Sequence, residues 1–186
     1  MAQQDTTTTI NGIDVEILQN TVAAVEHEPS LGTCKFRATN KWVGGAHNRS
    51  RIDDYFAAGE ERHHQRTFEL DADEPPMLAG EDHAPGPVEH LLHALASCLT
   101  TSVVAHAAAL GIHIEEIESE LEGDIDLRGF LGLSNQVPKG YTNIRVKFRV
   151  KGDAEDLDRI ERLINFSPVY NTLIHGAKVD VEVEPM

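Results

Sequence analysis

The chain has few cysteines, aromatics and cations, and each scarcity removes a class of protein. Only two cysteines, Cys34 and Cys98, occur in 186 residues. Their spacing matches no zinc or thioredoxin-like motif, so a disulfide framework and a structural metal knot are both excluded. Lys and Arg total 16 against 31 Asp and Glu, a formal charge of −15. Neutralising phosphates needs a basic face, so nucleic acid is not an expected partner. No apolar run reaches the roughly 18 residues a bilayer span requires, so no membrane partner is expected. The N-terminus, Met1-Ala-Gln-Gln-Asp followed by four threonines, has neither a basic region nor an apolar one, and no secretory signal is read there. The expected compartment is cytoplasmic, where lone thiols stay reduced.

What is present divides into alternating and helical stretches. Residues 1–9 read as a frayed tail. Residues 12–28 place Ile13, Ile17, Val22 and Val25 at helical spacing, closed by Pro29 and Gly32. Strand-like runs follow over 33–43, 47–56 and 62–70, with a turn at Gly44-Gly45. Residues 71–86 are acidic, contain Pro75, Pro76 and Pro85, and read as a loop. The segment 87–110 is the plainest helix: Pro87 opens it, and Leu91, Leu92, Leu95, Leu99, Val103 and Ala107 trace a wide apolar stripe. Gly111 ends it. Beyond it the pattern predicts strands over 115–127 and 141–150, a loop over 129–139 and an amphipathic helix over 153–165. Ser167-Pro168 then breaks that helix, a short turn reaches His175, and a last strand covers 179–183.

Two motifs make the order of elements specific. Gly86-Pro87-Val88-Glu89-His90-Leu91-Leu92…Ala96-Ser97-Cys98 resembles the cysteine-bearing helix of the OsmC/Ohr superfamily. Ser167-Pro168-Val169-Tyr170-Asn171-Thr172-Leu173 resembles that family's second-cysteine segment, with serine in place of cysteine. The loop Asp73-Glu74-Pro75-Pro76…Gly80-Glu81-Asp82 is similar to one OsmC-like branch. The resemblance spans about residues 33–184. It divides the chain into a tail and helical extension over 1–30 and an OsmC-like domain over 31–186.

The resemblance implies an α+β fold, with antiparallel-rich sheets wrapped around the long central helix and two chains intertwined as a homodimer. It also implies peroxiredoxin-like, oxidative-stress chemistry: a thiolate reduces an organic hydroperoxide and becomes a sulfenic acid, which a thiol then resolves. Cys98 takes the position of the attacking cysteine. Ser167 stands where the resolving cysteine would be, so an external thiol would have to reset the enzyme. Val88 takes the position of the glutamate that directly follows the proline in the peroxidases, and Glu89 falls one residue later. The activating arginine has no assigned counterpart; Arg62 and Arg66 are the nearest candidates. No cofactor is implied.

Each of these residues also has a plain structural reading. Cys98 is either a working thiol or a small core side chain. Cys34 and Trp42 read as packing, and Glu89 suits the first turn of any helix. His90 and His93, at i and i+3, with His83 and His106 flanking them, suggest a metal site only weakly. None forms a zinc motif, and no metal is expected. A metal-binding protein using His83, His90 or His93 is a third and weaker reading, and two functions stand ahead of it. One is a single-cysteine hydroperoxide reductase. The other is a non-enzymatic dimer that binds a small apolar or anionic ligand in the same cleft.

Overall fold

The computed structural model describes residues 9–186. The tail expected over 1–9 lies outside them apart from its last residue. The chain is α+β and divides into two compact units: Asp14–His93, and Thr9–Ile13 together with Ala94–Met186.

The chain begins with a hairpin of β1 (Thr9–Ile10) and β2 (Ile13–Asp14). Its two turn residues, Asn11 and Gly12, both sit at positive φ, the conformation for which an Asn-Gly pair is suited. In the first unit Asp14 caps α1 (Val15–His27) by accepting the Ile17 N–H at 3.0 Å. A sheet follows, made of β3 (Lys35–Phe36), β4 (Thr39–Gly44), β5 (His47–Ala57) and β6 (Glu60–Ala72). β5 is central and pairs antiparallel with the other three strands. This sheet has almost no core of its own: Val15 and Ala72 are the unit's only buried hydrophobic side chains among the described residues, while Phe36 and Trp42 are exposed. The packing expected of Trp42 is therefore not found. Its indole N–H instead donates to the Gly45 carbonyl at 2.9 Å.

The acidic loop after β6 is organised by one carboxylate. Asp73 is 1% exposed and accepts the backbone N–H groups of Glu74, Glu81 and His83 at 2.8, 3.2 and 3.1 Å. The donors favour the ionised form, the His83 N–H most, and hold this carboxyl below its usual range. The loop then passes so close to itself that a Cβ on Gly80 would lie 1.7 Å from the Glu74 carbonyl oxygen. Backbone cannot yield as a side chain tip can. Gly80→Ala is expected to cost roughly 3 kcal/mol or more, an overpacking effect. Gly45→Ala meets nothing within 4 Å and is strained only by φ +58°, so it should cost about 1 kcal/mol. Urea unfolding of the two variants side by side measures the difference.

The long helix α2 (Pro87–Ala109) starts in the first unit and continues into the second. It is long and apolar enough to cross a membrane by length and composition. Here its Leu95, Leu99, Val103 and Ala107 are buried at i, i+4 spacing. Val103 and Ala107 join Ile112, Ile160 and Leu163 in the core of the second unit. The antiparallel pair β7 (Ile114–Ile125) and β8 (Tyr141–Gly152) carries Ile117 and Val150 onto that core. On the other strand positions, Glu118, Glu120 and Glu122 stand opposite Arg149, Lys147 and Arg145. This cross-strand column of opposite charges fixes the register.

The other strands and the long helix agree with the alternation and periodicity in the sequence; four segments differ. The loop expected over 129–139 begins inside a one-turn helix, α3 (Leu127–Phe130), which Asp126 caps. The helix expected over 153–165 is regular only in α4 (Leu157–Leu163), with tighter turns on each side. The turn expected up to His175 is a helix, α5 (Pro168–His175). Proline both ends the preceding helix and suits the first position of the next, and Ser167 supplies the cap. The strand expected at 179–183 is also absent: Val179, Val181 and Val183 are 79, 82 and 89% exposed and pair with no strand among the described residues. Alternation prepares an edge partner, but the described chain does not supply the edge.

A candidate thiol site on the central helix

Opposite its buried stripe, α2 carries small side chains. Ala94, Ser97, Cys98, Thr101, Ser102 and Ala105 form one wall of an open groove of ≈ 690 Å³, and Phe166, Pro168 and Val169 form the other. Short side chains leave room above the helix; leucines at these positions would fill it. Cys98 is half-buried and free.

The second wall reaches Cys98 through Ser167, which is 0% exposed. Its hydroxyl donates to the Cys98 Sγ at 3.2 Å and accepts the Tyr170 N–H at 3.3 Å. As the cap of α5, Ser167 is held in one rotamer, accepting the Tyr170 N–H on one lone pair and donating its O–H to the Cys98 sulfur. The contact holds the sulfur facing the second wall, beside the open groove.

The other sequence candidates lie elsewhere. Glu89 accepts the Gly86 N–H at 2.7 Å, reaching back across the first turn of α2 as a helix-terminal carboxylate does. Val88 is exposed, and neither residue lines the groove. Among the described residues no arginine or lysine lines it either. Arg62 pairs with Glu60 at 2.6 Å, and Arg66 lies over the Phe68 ring. Cys34 is an exposed thiol in the first unit. His90 bonds the Asp71 carbonyl at 2.9 Å, and His83 packs beside Asp73. Among the described residues no three His, Cys, Asp or Glu side chains gather as metal ligands. Asp71 is held down to about 2 by hydrogen bonds from Arg49 and His47.

One groove residue entered the sequence reading only as a histidine flanking the weak metal candidate. His106 stacks on Phe166, with ring centroids 4.2 Å apart. Its signal was positional: 98, 102 and 106 follow one another at four-residue spacing along the helix.

A thiol on a long helix, faced by the serine of a Ser-Pro segment some seventy residues later, is the arrangement the two motifs implied, and comparison with known proteins bears on that likeness. No curated protein matches the chain. Among solved structures, the OsmC-like protein of Mycoplasma pneumoniae superposes with TM-score 0.56 at 19% identity, covering 81% of this chain and 96% of its own. An OsmC-like protein of unknown function from Vibrio cholerae gives 0.54 at 12%, covering 74% and 92%. The organic hydroperoxide resistance protein OsmC of Legionella pneumophila gives 0.50 at 17%, covering 74% and 89%. These likenesses establish the fold. The family model for OsmC-like proteins matches residues 80–182, over half of the chain and including both motifs, so the protein belongs to the OsmC-like family.

Proposed function

We propose that the protein is a single-cysteine, thiol-dependent hydroperoxide reductase that works as an intertwined homodimer in the cytoplasm. The observation that carries this reading is the Ser167 hydroxyl directed at Cys98 on the wall of an open groove. The Cys98 thiolate attacks the peroxide oxygen, the O–O bond breaks, and the released alkoxide takes a proton to leave as an alcohol. Cys98 is then a sulfenic acid. Ser167 cannot condense with it, so an external thiol forms a mixed disulfide and water, and a second thiol releases Cys98 as the reduced form. Residues 31–186 carry this chemistry and residues 1–30 extend the domain. The hydroperoxide resistance in the name of the Legionella relative is consistent with the reading.

The dimer rests on surfaces the single chain leaves uncovered. The first unit's sheet exposes Phe36, Trp42 and Phe68, and the valines of 179–183 alternate without a strand beside them. A second copy would supply the missing cover and edge.

The groove's lack of arginine and lysine, together with the use of Glu89 as a cap, favours a second reading: a dimer that binds a small ligand and does no chemistry. One sample separates the two. Purified protein should consume cumene hydroperoxide with dithiothreitol well above the rate of the thiol alone, and sediment at about twice 20.5 kDa. No consumption, with apolar or anionic ligands raising the Tm equally in wild type and Cys98→Ser, would establish the second reading.

A further inference from the structure

Two turns beyond Cys98 on the same helix, an imidazole lines the groove. His106 lies eight residues on, roughly 12 Å along the helix axis, and lines the same groove. The wall between them is short: Thr101, Ser102 and Ala105. The His106 ring lies against Phe166, its plane tilted 26° from it, so its orientation is set before anything binds. Among the described residues neither ring nitrogen has a hydrogen-bond partner. Among the described residues no Lys, Arg, Asp or Glu lines the groove, and His106 is the one nitrogen-bearing side chain of a lining otherwise made of apolar groups, the hydroxyls of Ser97, Thr101 and Ser102, and the Cys98 thiol. The volume falls in the range of small-molecule sites.

We infer that His106 determines specificity by selecting small molecules whose carboxylate lies on the order of 10 Å from the atom that meets the Cys98 sulfur. The inference rests on the groove being the place where Cys98 reacts, and it deepens that reading. An imidazole N–H donates to the carboxylate. Phe166 holds the ring and contacts the chain beside it. The acid is carried either by the hydroperoxide or by the thiol that resolves the sulfenic acid, because both must bring one atom to the same sulfur.

The test uses 6-maleimidohexanoic acid and its neutral counterpart N-hexylmaleimide on the full chain carrying Cys34→Ser, with modification of Cys98 followed by intact mass. The thiolate adds across the maleimide double bond and the adduct takes up one proton, so no turnover is needed. The acid probe should react faster than the neutral one. His106→Phe, which keeps a ring against Phe166 and has no N–H, should reduce that preference about 10-fold, the worth of one hydrogen bond to a charged group. His106→Arg, which keeps both a donor and a group that stacks on Phe166, should restore it. In the peroxide assay, KM in His106→Phe should rise for the acid-bearing member of one pair only: either an acid-bearing hydroperoxide against cumene hydroperoxide, or 6-mercaptohexanoic acid against 6-mercaptohexanol. That identifies which reactant carries the carboxylate. An unchanged preference in His106→Phe, a failure of His106→Arg to restore it, or a Cys98 that neither probe reaches would overturn the inference. A His106-dependent preference in a protein that consumes no hydroperoxide would instead leave the inference standing and remove the reductase.

Discussion

Cys98→Ser should lower hydroperoxide consumption by about 1000-fold or more, to the background of the added thiol. The step needs a polarisable anion at that position, and a serine hydroxyl at neutral pH supplies almost none. Ser97, Thr101 and Ser102 line the same wall and are no better as nucleophiles. The substitution changes one atom, and the new hydroxyl still accepts from Ser167, so the fold should survive and the Tm should move little. Cys34→Ser is the matched control: that thiol is exposed in the other unit, and its loss should leave turnover unchanged. Dimedone should label Cys98 in wild type after hydroperoxide and label nothing in Cys98→Ser. Retained consumption in Cys98→Ser would place the chemistry elsewhere.

How much of this could be read beforehand depends on the distance over which each feature is determined. Pro87 and Gly111 bracket α2, and the alternations around Ile117, Leu121, Ile144 and Val146 mark β7 and β8, because these are local patterns of sterics and burial. The approach of Cys98 and Ser167 is different. They are 69 residues apart, and no periodicity brings them to 3.2 Å; only the likeness of two motifs to one family connected them. The Ser167-Pro168 pair did carry a local signal for α5, since serine is a good cap and proline a good first residue, but the same pair also reads as a helix break. Asp73 reads as one acid among many in a loop, because its three backbone donors come from positions without any side-chain signature. His106 gains its place from Phe166, sixty residues later. The valines of 179–183 are a legible strand pattern, yet pairing needs an edge, and an edge is a property of the fold.

Ser167→Cys should convert the single-cysteine site into a two-cysteine one. In the wild type the Ser167 Oγ already lies 3.2 Å from the Cys98 Sγ, and a disulfide needs about 2.05 Å, a closure of roughly 1 Å between two side chains that already face each other. Hydroperoxide should then give a sulfenic acid that the new thiol attacks, expelling water and forming an intramolecular bond. Wild type treated in the same way should keep a sulfenic acid that dimedone traps, or a mixed disulfide with whatever thiol is present. The variant should lose the trap and lose two mass units instead. Its reductant preference should shift as well, from monothiols toward dithiols that can open an internal bond. Two stability effects oppose one another. Cysteine is a poorer cap for α5, which costs about 1 kcal/mol in the reduced protein. The oxidised protein closes a loop of 69 residues, which the chain-entropy argument values at about 4 kcal/mol. The oxidised variant should therefore melt above the wild type and the reduced variant slightly below it. A sulfenic acid that persists on Cys98 beside a free thiol at 167 would mean the two side chains do not meet in solution, and the proposed role of the Ser167 hydroxyl would be lost with it.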